Sequence, residues 1–288
     1  MAIESLRALE KASENKDIFE VVLDSDCTDR GVSREASLEK MHALYAAIRR
    51  AREGYDPALH SASGMVGGDG AKMREYVQKG KTICGDYIGQ VIAQALEMGE
   101  SNACMKCIVA APTAGSCGVL PAVLLPYQAR EGLDDDAMVR AMYIAGAIGQ
   151  VVAAKASIAG AAGGCQAEIG TASAMGAAAL CYLGGGSSQA VCHAAAIAIK
   201  SMLGLVCDPI AGLVEVPCVK RNAAGAMIAM SSADMALAGI RSAVPPDEVI
   251  LAMREVGDKM DVSLKETGVG GVAGTPFGQK IAEKMGVL

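Results

Sequence analysis

The stretch AMYIAGAIGQVVAA, Ala141–Ala154, is apolar on every face of a helix drawn through it, and its reading decides the fold. Arg140 and Lys155 close it and Gln150 interrupts it. It is shorter than the roughly 20 residues a membrane-spanning helix needs, so it reads as a helix buried in a protein core. The same alanine- and glycine-rich texture returns in GTASAMGAAALCYL, Gly170–Leu183, and in SQAVCHAAAIAIKSML, Ser188–Leu203. Helices of this kind pack only against other helices. The expected fold is therefore all-α, a compact bundle of Ala/Gly-rich buried helices joined by glycine-rich functional loops.

Outward from that stretch, helical periodicity predicts further helices over 33–53, 86–99, 120–130, 135–158, 170–183, 187–203, 223–242, 246–260 and 276–286. Ser33 is placed to cap the first, and Pro245-Pro246-Asp247 marks a helix start. Alternating strand patterns are scarce, and Ile108-Val109 is too short to form one. Residues 1–30 read as a polar N-terminal extension, with DSDCTDRG (Asp24–Gly31) as a loop. No linker, repeat or low-complexity tract divides the chain, so residues 1–288 are expected to form one domain.

Composition narrows the function. Hydrophobic residues make up 52% of the chain but aromatics only 3%, with no Trp, two Phe and 34 Gly. A core with so few bulky side chains gains its packing energy from close backbone approach. A net charge of −6, without aromatic-flanked basic patches, argues against nucleic acid as a partner. The N-terminal MAIESLRALEKASENK is charged throughout and has no apolar signal-peptide core, which predicts a cytoplasmic protein with no membrane association.

Ten cysteines stand in this chain, and it is too long to depend on disulfide staples. Cys181 and Cys192 sit in alanine-rich helices and read as packing residues. Cys27 and Cys84 have no neighbour that argues for reactivity. Cys104 and Cys107 form a CxxC with no second pair at zinc spacing. Cys117 in GSCG, Cys165 after GAAGG, Cys207 before Asp-Pro and Cys218 after Val-Pro lie instead in irregular turns. Thiolates there can converge on one metal site, and Lys220 and Arg221 are near enough in sequence to favour the ionised form. Composition and context point to a dispersed cysteine site and leave its members open.

These same turns carry a resemblance. SGMVGGD (Ser63–Asp69), APTAGSCGVLPAVL (Ala111–Leu124), GGCQAEIGTASAMGAAAL (Gly163–Leu180) and CDPIAGLVEVPCVKRNAAGA (Cys207–Ala226) resemble the α chain of the iron–sulfur-dependent bacterial L-serine dehydratases. The likeness runs from about residue 30 to the GVGG at Gly268–Gly271. It implies a 4Fe-4S cluster held by the residues matching the family's three cysteines, Cys165, Cys207 and Cys218. Cys117 and Cys104 fall where the family does not require cysteine. The implied reaction converts L-serine to pyruvate and ammonia. Three thiolates leave one iron open to act as a Lewis acid on the serine hydroxyl.

The resemblance further places Ser63, Gly64, Thr113, Gly115 and Ser116 in segments that line the substrate pocket, with Asn222 as a polar wall. His60 and Lys155 are the candidate bases, ahead of His42 on its helix surface. The family also has a β region that contributes to the active site, and this chain contains none. A separate β chain is therefore the expected partner, and the base can belong to it. Two rivals use the same residues: a cluster lyase acting on cysteine or threonine, and a pyridoxal-phosphate lyase with Lys155 as Schiff base and AGAAGG around the phosphate.

Overall fold

The computed structural model describes residues 3–287. Thirteen α-helices occur among them, with no β-strand. One isolated bridge pairs Cys207 with Lys265. The helices are α1 (Leu6–Ala12), α2 (Ile18–Arg30), α3 (Arg34–Glu53), α4 (Asp69–Gln78), α5 (Gly85–Ala103), α6 (Val119–Glu131) and α7 (Asp135–Lys155). After them come α8 (Gly160–Gly163), α9 (Thr171–Leu183), α10 (Ser188–Met202), α11 (Cys218–Leu237), α12 (Pro246–Lys259) and α13 (Pro276–Lys284).

Helix α9 is the axis. Every residue from Thr171 to Cys181 is buried, and α6, α7, α10 and α11 surround it. Small residues make that possible. A Cβ placed on Gly176 would lie 3.2 Å from Ala229 Cβ on α11 and 3.3 Å from Val123 Cγ2 on α6. A Cβ on Gly149 of α7 would lie 3.0 Å from Met175 Sδ. The stretch that decides the fold is the body of α7, with Ala141–Ala145 and Val151–Val152 buried against this axis. By length and composition α7 is apolar enough to cross a membrane, but 67% of its apolar window is buried within the protein, as in a core helix.

Three local expectations are corrected. Asp24–Arg30 is helical, not a loop. Helix α2 is capped by Asp17, whose carboxylate accepts from Phe19 N, and is terminated by Gly31 in the left-handed conformation (φ 63°). Leu6 and Leu9 of α1 and Phe19 and Leu23 of α2 are buried in the main core, so charged exposed faces masked an apolar stripe. The helix expected over 223–242 begins at Cys218, directly after Pro217, and ends at Leu237 before Gly239 (φ 85°). Helix α7 stops at Lys155, before Ala156 takes a non-helical conformation. Helix α4 went unpredicted, since its start, Asp69-Gly70, sits at the end of a glycine-rich run.

Two non-α turns position the site. The segment Ala114–Ser116 forms a 3-10 turn after Thr113. The segment Gln166–Gly170 forms a π-helical turn leading into α9. Gln166 fixes that turn at both ends of its amide, donating to Met253 O (3.0 Å) and accepting from Gly204 N (2.9 Å).

Candidate active site

Cys165 immediately precedes the π-helical turn, and Glu168 stands within it. Cys207 approaches from the loop after α10, held in the isolated bridge. Its N–H donates to Leu264 O (2.8 Å) and its carbonyl accepts from Glu266 N (2.7 Å). The ligand atoms of Cys165, Glu168 and Cys207 all lie within 4.8 Å of one another. Cys207 Sγ is 3.9 Å from Glu168 Oε2. Cys218, at the first position of α11, is buried but lies outside this group, so two of the three predicted thiols converge.

Space around this group is kept open by a missing side chain. A Cβ on Gly160 would fall 2.7 Å from Glu168 Oε2, 2.8 Å from Cys207 Sγ and 3.2 Å from Glu266 Oε2. Glu266 enters through a left-handed backbone (φ 61°), an uncommon conformation for a residue with a side chain.

The electrostatics separate the three thiols. A hydrogen bond from Cys207, together with the Arg221 guanidinium, holds the Cys165 thiol below its ordinary range. The same bond, with burial, pushes Cys207 up. Burial pushes Cys218 up to about 12. Arg221 is fixed for this task, donating to Val206 O at 2.7 Å and pairing with the buried Asp208 carboxylate at 2.8 Å. Lys220 is not part of it; its ammonium is exposed and 3.2 Å from Asp69. Glu168 is raised above the ordinary carboxylate range, chiefly by burial, against a lowering hydrogen bond from Thr113.

Thr113, Gly115, Ser116 and Asn222 gather at one turn beside Glu168. Thr113 Oγ1 donates to Glu168 Oε1 at 2.7 Å. Gly115 lies against the same carboxylate, where a Cβ would be 3.2 Å from Oε1. Ser116, fully buried, bonds within its own turn to Ala111 O and Thr113. Asn222 ties that turn to the third cysteine. Its Oδ1 accepts from Gly118 N (2.8 Å), and its Nδ2 donates to Gly115 O (2.8 Å) and Cys218 O (3.0 Å).

On the far side of this turn a cleft of about 450 Å³ is lined by His60, Ala62, Cys104, Ala114, Val214 and Glu215, among others. Ser63 borders it through Glu215. The Glu215 carboxylate, 4% exposed, accepts from both Ser61 Oγ (2.7 Å) and Ser63 Oγ. Gly64 takes the left-handed conformation (φ 77°), and its N–H donates to Ser61 O. The first amides of α4, Asp69 N and Gly70 N, already donate to the Glu100 carboxylate, at 2.6 and 3.2 Å, and are not free to donate to an outside anion.

Of the candidate bases, His60 lines the cleft, its Nδ1 3.2 Å from Ala58 O. Lys155 is 4.0 Å from Asp247, whose carboxylate also accepts from Leu6 N and Arg7 N. His42 is 3.2 Å from Asp136 on the surface. The remaining buried cysteines lie apart. Cys117 donates to Met98 O and Cys192 to Leu6 O, and burial pushes Cys117 up to about 12 and Cys181 to about 11.

Glu168 and Glu266 beside the thiols, and Glu215 at the cleft, are not singled out by the sequence. Only Glu168 left a trace there, as the carboxylate three residues after Cys165.

Two cysteine sulfurs and a carboxylate gathered beside a fixed guanidinium suit a transition metal. An all-helical scaffold holding such a set is compatible with a metal-dependent enzyme. Residues 13–273 match the family described as the serine dehydratase alpha chain, and the chain belongs to that family. It is 49% identical over 245 residues to the probable L-serine dehydratase alpha chain of Bacillus subtilis, covering 85% of this chain and 80% of that one. It is 43% identical over 272 residues to the L-serine dehydratase alpha chain of Peptoniphilus asaccharolyticus, covering 88% and 93%. Against the L-serine dehydratase of Streptomyces coelicolor it is 45% identical over 181 residues, which is 62% of this chain but 40% of that protein.

Proposed function

We propose that this chain is the catalytic α chain of a cytoplasmic L-serine dehydratase, converting L-serine to pyruvate and ammonia. The observation that carries the reading is the convergence of the buried Cys165 and Cys207 with the half-buried Glu168 in one group. Cys165, Cys207 and Cys218 would hold a 4Fe-4S cluster. Such a cluster, when bound, would supply a Lewis acid toward the departing hydroxyl.

The chain's own residues do the rest. Arg221 keeps Cys165 in the form that binds metal, and its pair with Asp208 keeps it from moving toward solvent. Glu168, pinned through Oε1 by Thr113, holds its second oxygen toward Cys207 and can keep a proton there. Asn222 fixes the 113–116 turn against Cys218, so the wall between cleft and thiols is rigid. Ser61 and Ser63 position Glu215 at the cleft, where an opposite charge such as a substrate ammonium is attracted. We place His60 ahead of Lys155 as the group that takes the Cα proton, because of the two only His60 lines the cleft.

The partner is a separate β chain. Two relatives of nearly this length are named as alpha chains, and the Streptomyces enzyme has more than half its length beyond the match. We read the whole chain as one catalytic unit. The test is pyruvate formation from L-serine by anaerobically purified chain, with and without a β chain, alongside L-cysteine and L-threonine. Pyruvate from serine on adding the β chain is expected. Full turnover by the chain alone overturns the partner, and preference for cysteine or threonine overturns the substrate.

A further inference from the structure

The donors that already stand together are not the three thiols matched to the cluster. The ligand atoms of Cys165, Glu168 and Cys207 lie within 4.8 Å of one another, and Cys218 lies outside that group. Their spacing is that of ligands around one ion. In a tetrahedral site, a sulfur at about 2.3 Å and an oxygen at about 2.1 Å from the metal stand about 3.6 Å apart. Cys207 Sγ and Glu168 Oε2 are 3.9 Å apart, close to that edge.

The surroundings point the same way. Thr113 Oγ1 occupies Glu168 Oε1 at 2.7 Å, which leaves Oε2 to face Cys207. Glu266 Oε2 and Glu168 Oε2 flank one point, 3.2 and 2.7 Å from where a Cβ on Gly160 would stand, and the glycine keeps that point clear. Neither carboxylate has an ion-pair partner among the described residues, and the Arg221 guanidinium is already shared with Asp208. Two carboxylates beside two thiols, with so little positive charge to meet them, call for a cation. Glu168 is half-buried and Glu266 exposed, so an ion has a way in from solvent.

We infer that the cluster-free chain binds a single divalent transition-metal ion, of the zinc or iron(II) class, through Cys165, Glu168 and Cys207, with Glu266 beside the fourth position. Each thiol gives its proton to solvent as it binds. The site differs from the cluster's in its donors, since Glu168 is included and Cys218 is not. The ion takes two of the three thiols assigned to the cluster, so ion and cluster exclude each other. That exclusion rests on the cluster reading above; the ion site does not.

The experiment is an anaerobic titration of the metal-free full chain with cobalt(II), read by the thiolate-to-cobalt charge-transfer band, with circular dichroism to show that each variant is folded. A band that saturates at one ion per chain and is displaced by zinc is expected. Cys165→Ser should at least halve the band. Glu168→Gln should keep the band but weaken affinity at least tenfold, whereas Cys218→Ser should change affinity less than twofold. No saturable band in the parent, or equal losses in Glu168→Gln and Cys218→Ser, overturns the site. A second arm supplies iron and sulfide with and without prior zinc, and zinc should cut iron uptake severalfold. Equal uptake overturns the exclusion. No uptake without zinc overturns the cluster reading and the exclusion with it, but not the ion site.

Discussion

Thr113 Oγ1 donates to Glu168 Oε1 at 2.7 Å, and through that bond the 113–116 turn and the π-helical turn after Cys165 become one wall. Burial holds Glu168 above its ordinary 4.5, while Thr113 pulls the other way. A carboxyl raised in the folded state contributes stability that is complete below about pH 4.5 and is lost as pH rises through the folded value. In the metal-free chain, Glu168→Gln should therefore gain in Tm relative to the parent as pH rises above that point. Thr113→Val should move the window to higher pH. Thermal melts across pH 4 to 8 check this, and a Tm difference that does not change with pH contradicts it.

Gly160→Ala places a methyl 2.7 Å from Glu168 Oε2 and 2.8 Å from Cys207 Sγ, closer than real contacts allow. The helix it disturbs, α8, is only four residues long, so global stability should fall by less than about 1 kcal/mol. Iron retention should drop severalfold. Normal iron content in a well-folded Gly160→Ala protein would show that the gap beside Cys207 is not needed.

Much of this was legible in sequence, for reasons that differ by element. Helices α7, α9 and α10 are buried on nearly all sides, so unbroken Ala, Val and Ile revealed them without an amphipathic pattern. Helices α1, α2 and α4 bury narrow stripes under charged faces, and composition reads those as polar. The turns bearing Cys165, Cys207 and Cys218 announced themselves by glycine and proline. Which basic residue serves them did not, because Lys220 and Arg221 are adjacent and only the helical geometry of α11 sends Arg221 inward to Asp208. Glu266 was invisible, since the bridge between Cys207 and Lys265 joins segments far apart in the chain.

Two core glycines should behave differently on substitution by alanine. In a helix the change gains about 1 kcal/mol from backbone entropy. At Gly176 the new Cβ meets Ala229 and Val123 at 3.2 and 3.3 Å, a tight contact that offsets the gain, so stability should change little. At Gly225 it meets the branched Ile169 at 2.8 Å, Ser173 Oγ at 3.0 Å and Val119 at 3.1 Å. Overpacking there costs about 1–3 kcal/mol and should win. Chemical denaturation ranks the two, and equal effects would mean that α11 slides freely on α9.

Arg74→Ala removes both hydrogen bonds that compensate the buried Glu97 carboxylate. Leaving a buried charge alone costs up to about 3–5 kcal/mol, less here because Arg74 is itself 36% exposed. A loss of about 2 kcal/mol is expected. The double variant Arg74→Ala/Glu97→Gln should recover part of it, and no recovery would place the loss in packing instead of charge.

The most direct measurement is iron and acid-labile sulfide per chain after anaerobic purification, in the parent and in single Cys→Ser variants. About four of each are expected in the parent, near zero in Cys165→Ser, Cys207→Ser and Cys218→Ser, and parental levels in Cys181→Ser and Cys192→Ser. No iron in the parent chain, or equal losses in all five variants, would contradict the account.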